Sequence, residues 1–227
     1  MRINKFLAHA GVASRRNSEE MISAGRIMVN GVLAQIGQQV NEEDQVTLDG
    51  KPITAPASLL YYQFNKPRFV VSTVSDPEGR KTVLDFVPDS ARLYPVGRLD
   101  YESEGLMILT NDGDLAYRLT HPKFEVEKVY RVQVKGTPSN RDIAKLEGGV
   151  VIEGKKTAPA KIIYLSGDEK RSWYKVVIHE GRNRQIRKMF DLIDYPVMRL
   201  IRIQFGEYEL GDLKPGDCRQ FTPIKPV

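Results

Sequence analysis

The sequence predicts an α+β fold in two domains, on three observations. Residues 1–53 hold two short helical patterns followed by hairpin signals. From residue 59 onward, strand-like runs and helical patterns follow one another irregularly, the order that gives a mixed, mainly antiparallel sheet with flanking helices. Between them TAPASLL (54–60), with Pro56 and small residues, reads as a linker, so the expected domains are 1–58 and 59–227.

The elements follow in order. INKFLAHA (3–10) has apolar residues at helical spacing and stops at Gly11, a residue suited to the position after a helix. Ser14 is placed to cap a second helix, RRNSEEMISA (15–24), which ends at Gly25. Asn30-Gly31 and Asp49-Gly50 each lie between β-formers. Both are turn signals, because a type I′ hairpin turn needs positive φ at its two central residues. In the larger domain the strand-like runs are LLYYQFN (59–65), FVVSTV (69–74), LMILT (106–110), VYRVQVKG (129–136), AKIIYLS (160–166), WYKVVIHEG (173–181) and VMRLIRIQFG (197–206). Helical patterns lie at DGDLAYRLTH (112–121), NRDIAKLEGG (140–149) and RNRQIRKMFDLI (182–193), the last beginning near Asn183. Tyr61, Tyr62 and Phe64 are expected in the core, and His9, His121 and His179 in structural roles.

Composition narrows the class. Hydrophobic residues are 41% and charged residues 28% of the 227, as in soluble globular proteins. No run approaches 18 apolar residues, so no membrane span is expected. The first residues, MRINKFLAHAGVASRR, lack the apolar region of a signal peptide. The lone Cys218 fits a reducing compartment, so the chain is expected in the cytoplasm. One Cys and three His without metal-ligand spacing argue against a zinc site.

The net charge is +5, and its distribution matters more than its size. Residues 1–26 hold Arg2, Lys5, Arg15, Arg16 and Arg26 against Glu19 and Glu20. Residues 182–188, RNRQIRK, hold Arg182, Arg184, Arg187 and Lys188 and no acid. Either cluster alone reads as a solvated face. Together they suit phosphates, each contact adding a salt-dependent increment of affinity. On a helix from Asn183, Arg184 would share a face with Arg187 and Lys188. An arginine there can also turn inward and bind a buried carboxylate bidentately.

The candidate carboxylate lies in YPVGRLDYESEGLMIL (94–109), where Asp100 follows Arg98 and precedes an apolar run. A carboxylate at a loop-to-core junction protonates unless a cation compensates its desolvation. Asp100 can pair with Arg98 at the surface or cap a turn. In a chain with an arginine-rich helix to neutralise it, Asp100 also reads as a nucleophile or a base.

Two resemblances sharpen this. RINKFLAHAGVASRRNSEEMISAGRIMVNG resembles the S-four-type (α-L) RNA-binding domain, through Lys5–Leu7, Gly11–Arg16 and Gly25–Gly31. This implies RNA binding through Lys5, Arg15, Arg16 and Arg26. GRLDYESEGLMILTNDG resembles the catalytic motif of bacterial ribosomal-RNA pseudouridine synthases with such a domain, most closely the large-subunit (23S) branch. NKPRFVVST (65–73), EKVYRVQVKG (127–136), GKKTAPAK (154–161), EGRNRQIRKMF (180–190) and VMRLIRIQFG match in the same order, so the likeness spans the chain.

The resemblance implies that Asp100 is the catalytic carboxylate, acting on the sugar or on a ribose proton. It makes Arg187 the salt-bridge partner of Asp100, and Tyr130 the ring stacked on the target uracil. Leu200 would be an apolar wall and Arg98 a holder of the flipped nucleotide, with Arg182, Arg184 and Lys188 on phosphate. The implied reaction gains and loses no atoms, so no metal or other cofactor is expected. The implied partner is ribosomal RNA or a ribosomal-subunit precursor, and the implied state a monomer. The family usually has Thr or Thr-Ser where this chain has Ser103-Glu104, and Glu104 adds a negative charge near the site. Three other readings stand beside this one: a 16S RNA target, a non-catalytic RNA-binding assembly factor, and a glycoside hydrolase. The hydrolase needs two carboxylates across the scissile bond, whereas Asp100, Glu102 and Glu104 share one short loop.

Overall fold

The computed structural model describes residues 1–53, 58–88 and 92–223. The chain divides into two compact units, one mainly Met1–Leu60 and the other mainly the residues that follow. The linker read at 54–60 falls mostly on 54–57, outside the described residues.

The smaller unit runs α1 (Ile3–His9), α2 (Arg15–Ser23), β1 (Ile27–Val29), β2 (Val32–Leu33), β3 (Val46–Leu48) and β4 (Lys51–Pro52). The side chain of Ser14 caps α2, accepting from the Asn17 N–H at 3.1 Å. Asn30 and Gly31 have φ of 52° and 80°, and Asp49 and Gly50 have 48° and 77°. These are the two tight hairpins the sequence specifies, and they order the sheet β2-β1-β3-β4. Ile3, Leu7, Ile22, Ile27, Val29 and Val46 bury against one another to form its core.

The larger unit continues with β5 (Tyr61–Lys66), β6 (Tyr94–Pro95), β7 (Glu104–Thr110), α3 (Gly113–Thr120), β8 (Lys128–Lys135), α4 (Asn140–Glu147), β9 (Val151–Ile152), β10 (Lys155–Lys156), β11 (Lys161–Gly167), β12 (Arg171–Ile178), α5 (Gln185–Asp191), β13 (Val197–Phe205), β14 (Tyr208–Glu209) and β15 (Cys218–Gln220). Its main sheet has the order β11-β12-β8-β13-β7-β5-β15. All pairs are antiparallel except β13 with β7. Tyr62 and Phe64 are buried, and Tyr61 packs on the core around Leu106 and Ile108.

Two expectations are corrected. FVVSTV is not a strand; it offers only an isolated bridge, Val71 to Thr82. Phe69 takes the left-handed region at φ 63°, and the segment gives its polar groups to another loop. The helix expected from Asn183 begins at Gln185, with Arg184 as its N-cap at φ 52°. Arg184 therefore does not share a helical face with Arg187 and Lys188.

Candidate active site

Asp100 sits in a reverse turn that feeds β7. The Ser103 N–H donates to the Asp100 carbonyl at 3.0 Å, and the wholly buried β7 starts one residue later. The carboxylate thus stops short of the core. It is half-buried and lines a cleft of about 570 Å³. Its loop is fastened by the segment after β5. The Ser72 hydroxyl donates to the Leu99 carbonyl at 2.7 Å and accepts from the Leu99 N–H at 3.1 Å. The Phe69 N–H donates to the Tyr101 carbonyl at 2.7 Å. Lys66, at 0% exposure, donates from Nζ to the carbonyls of Ser103 (2.9 Å), Pro67 (3.0 Å) and Tyr101 (3.5 Å). None of these bonds uses the Asp100 carboxylate, so position and charge are separately maintained.

The sheet supplies one wall. Side chains alternate between its faces, and Lys128 and Tyr130 from β8 with Leu200 and Arg202 from β13 turn to the cleft. Tyr130 lies directly opposite Arg202. A bulge between Arg202 and Gln204 brings Phe205 to the same face, with the Arg202 guanidinium 4.5 Å from its ring centroid. Arg202 is buried; it donates from Nε to the Leu106 carbonyl at 2.7 Å, and its Nη2 has no protein partner. Burial pushes its pKa below the ordinary arginine value, and Tyr130 offsets part of that. Burial also brings Lys128 down to about 8, with Arg202 adding to the effect. A buried unmet donor and a softened ammonium beside an aromatic ring suit a planar, polar guest that develops negative charge.

The arginine-rich segment forms the opposite side. Arg98, Arg182 and Arg184 line the cleft with Asp100, and Arg184 Nη1 stands 4.0 Å from Glu102. Arg187 lies behind them, buried, donating from Nη1 to the Val197 carbonyl at 3.0 Å while Nε and Nη2 have no protein partner. The expected Arg187–Asp100 salt bridge is absent among the described residues. The helix-to-β13 contact takes one donor and holds the guanidinium beyond ion-pairing range. It remains electrostatically coupled to the acids: burial lowers its pKa, Arg184 lowers it further, and Glu102 and Asp100 oppose this.

Residues 61–192 match the family described as RNA pseudouridylate synthase. The chain belongs to that family. Residues 1–46 match the S4 domain. A Bacillus subtilis (strain 168) protein named ribosomal large subunit pseudouridine synthase B is 45% identical over 226 residues, covering 98% of this chain and 92% of its own. An Aquifex aeolicus (strain VF5) protein named uncharacterized RNA pseudouridine synthase is 40% identical over 226 residues, covering 98% of this chain and 90% of its own. A crystal structure of a pseudouridylate synthase superposes with TM-score 0.69 at 28% identity, over 98% of this chain and 96% of that one.

The synthase departs from its sequence reading in several charges. Glu104 does not face the cleft. It starts β7 on the reverse face and binds Arg199 bidentately at 2.9 and 3.0 Å, so its charge is neutralised away from Asp100. Arg182 is tied to Glu180 and to the carbonyls of Lys155 and Lys156. Lys188 pairs with Glu153 at 2.7 Å, and Arg26 with Asp49 through two bonds. In each case an acid or carbonyl from a neighbouring hairpin reaches the cation, a proximity no local spacing reveals. Arg15 and Arg16 are exposed at the start of α2, and Lys5 is half-buried on α1. His121 and His179 both border the cleft. Their Nδ1 atoms are engaged by the Lys123 N–H and by the Glu125 carbonyl.

Sequence reasoning gave Lys66, Ser72, Lys128 and Arg202 no role. The readable signal for Arg202 is parity: in VMRLIRIQF it stands two residues after Leu200, on the same face of the strand. Lys66 gave only a Lys-Pro pair at a strand end. Burial draws its pKa from 10.5 to about 8, with Asp100 and Glu104 opposing. Between those values the unfolded chain holds a proton that the folded chain lacks, so stability rises with pH across the window. The slope is at most about 1.4 kcal/mol per pH unit from this group. Urea unfolding of wild type and Lys66→Met at about pH 7.5 and about pH 9.5 should show the wild type gaining on the variant at the higher pH. A pH-independent difference would rule out a titrating buried lysine.

Proposed function

We propose that this synthase isomerises a uridine of large-subunit (23S) ribosomal RNA to pseudouridine, with Asp100 as the catalytic carboxylate. The observation that carries the assignment is the Asp100 loop. Its backbone is fastened by Lys66, Phe69 and Ser72, while its carboxylate is left free among cations in a cleft large enough for a nucleotide. The substrate choice is supported by the name of the 45%-identical relative.

A uridine stacked in an RNA helix is out of reach, so it must be flipped out, at a cost of a few kcal/mol. Tyr130 stacks on the uracil and returns roughly 1–3 kcal/mol. Leu200 closes the apolar side, and Arg98 holds the extruded nucleotide. The ionised Asp100 then acts at the ribose, adding to carbon 1′ or removing the proton at carbon 2′. Either route breaks the bond to nitrogen 1 and leaves a uracil anion. In this reading the unmet donor of Arg202 and the Lys128 ammonium, both lining the cleft, stabilise that charge, and the buried Arg187 acts on it from behind. The ring turns and carbon 5 bonds to carbon 1′, displacing the Asp100 carboxylate on the first route or with the proton returning to carbon 2′ on the second. The hydrogen on carbon 5 leaves as a proton and nitrogen 1 takes one up. No atom is gained or lost, so the reading includes no metal or other cofactor.

In this reading residues 1–58 form an RNA-binding domain and 59–227 the catalytic domain. Lys5, Arg15, Arg16 and Arg184 meet phosphates, while Arg26, Arg182 and Lys188 shape the surfaces that carry them. In the same reading the synthase is a monomer acting in the cytoplasm on ribosomal RNA or a subunit precursor. Among the described residues no helix is long and apolar enough to cross a membrane.

The test is tritium release from uridine labelled at carbon 5, comparing transcripts of both large ribosomal RNAs and the large-subunit precursor particle. Release from 23S RNA or its particle is expected. Release from 16S RNA alone would overturn the substrate, and release from none would overturn the function.

A further inference from the structure

The cleft uses one face of the main sheet; the reverse face carries its own charge pattern. Alternation places Arg131 and Lys135 of β8, Arg171, Trp173 and Lys175 of β12, and Arg199 of β13 on that face, with registers that bring them side by side. Arg131, Lys175 and Arg199 line a groove of about 470 Å³. The half-buried Trp173 has the Arg131 guanidinium 5.1 Å and the Arg199 guanidinium 5.9 Å from its ring centroid. Two carboxylates also line the groove, Glu104 and Glu209, and Glu104 is taken by Arg199. Among the described residues, no carboxylate lies within ion-pairing distance of Arg131, Lys135, Arg171 or Lys175.

This differs from an ordinary solvated face in two respects. Strands lie about 4.8 Å apart, so unpaired cations on neighbouring strands repel one another, and a surface serving only solubility would intersperse acids among them. The indole also holds two guanidiniums in place through cation–π contact. This removes in advance part of the side-chain entropy that binding would cost. Arg131, preorganised and without a carboxylate partner, and Lys175, also without one, lie along a polar groove and complement a string of phosphodiesters.

We propose that the reverse face of the sheet is a second RNA-contact surface, which binds the phosphate backbone of a segment of the substrate RNA other than the one bearing the modified uridine. This rests on the reading of the substrate as a large RNA. The surface contributes affinity and choice of RNA, and takes no part in the chemistry.

Trp173 is the only tryptophan in the chain, so its emission reports this face directly. The full-length synthase is titrated with a 23S RNA fragment, following Trp173 emission, fluorescence anisotropy of labelled RNA, and tritium release. Emission should change and saturate together with anisotropy. Arg131→Glu combined with Lys175→Glu should weaken binding about 10-fold or more near 0.15 M salt and lower the slope of log affinity against log salt by about 2. The rate at saturating RNA should be unchanged. The neutral pair Arg131→Gln and Lys175→Gln should lower the slope similarly, guarding against a folding defect of the charge reversal. Bound RNA that leaves Trp173 emission and both variants' salt slopes unaltered would overturn the proposal. A protein partner in place of RNA gives that same result. Emission and slope are read whether or not tritium is released, so failure of the catalytic reading and failure of this one are separate outcomes.

Discussion

Asp100→Asn should lower the single-turnover rate of tritium release by on the order of 10⁴-fold or more, at least about 5.5 kcal/mol of transition-state stabilisation, while RNA binding persists. The reason lies in how the loop is held. The Lys66 ammonium, the Ser72 hydroxyl and the Phe69 N–H all bind backbone groups of residues 99–103, none of which the substitution alters. Asn keeps the volume and removes only the charge. The fold should therefore survive, and affinity for RNA should hold or rise, because one negative charge has left a cationic cleft. The variant carries an internal check. Asp100 raises the Lys66 pKa against the effect of burial, so Lys66 should titrate lower in the variant. Wild-type turnover by Asp100→Asn would end the assignment of this carboxylate. Loss of RNA binding together with turnover would show that the residue is structural.

Gly105→Ala should be the most disruptive single methyl group in the larger unit. Gly105 has φ +107°, and a Cβ there would meet the backbone of Arg202 at 2.2 Å from O, 2.6 Å from N and 2.9 Å from C. Backbone atoms of a paired strand cannot move aside as a side-chain tip can. The contact lies where β7 and β13 join in parallel, with Ile201 opposite Glu104 and Arg202 opposite Gly105. That join connects β11-β12-β8-β13 to β7-β5-β15. It also connects the Asp100 loop, which runs directly into β7, to the wall bearing Tyr130, Leu200 and Arg202. Separating the strands disturbs the Arg202 bond to Leu106 and leaves more of a buried guanidinium unmet. A cost of roughly 4 kcal/mol or more is expected, with turnover lost even in the molecules that remain folded. Urea unfolding followed by circular dichroism measures the first effect and tritium release the second. A variant within about 1 kcal/mol of wild type would show that the two strands can part without penalty.

Much of this protein is legible residue by residue. Ser14 caps α2 because its hydroxyl reaches an N–H three residues away. Asn30-Gly31 and Asp49-Gly50 make hairpins because they tolerate positive φ at adjacent positions. The buried β7 and the amphipathic β8, β12 and β13 declare themselves through runs or alternation. Asp100 is conspicuous as a carboxylate at the entrance to an apolar strand. These are short-range properties, fixed by backbone preferences and by the period of the apolar pattern.

What the sequence left open turns on partners distant along the chain. FVVSTV has the composition of a strand, but its polar groups are claimed by the Asp100 loop some 27 residues on, and it becomes a clamp. Arg199 draws Glu104 to the reverse face across 95 residues. A carbonyl of β13 takes one donor of Arg187, which therefore stands near Asp100 without bonding to it. Lys66 passes for a surface lysine until three carbonyls close over it. Most helices and strands, the tight turns and the carboxylate at the centre of the site depend on neighbours within a few residues and can be read locally. Which charge meets which cannot. Ion pairs and buried donors are settled by whichever groups the sheet brings within about 3 Å of each other, and β pairing sets that distance between residues far apart in sequence.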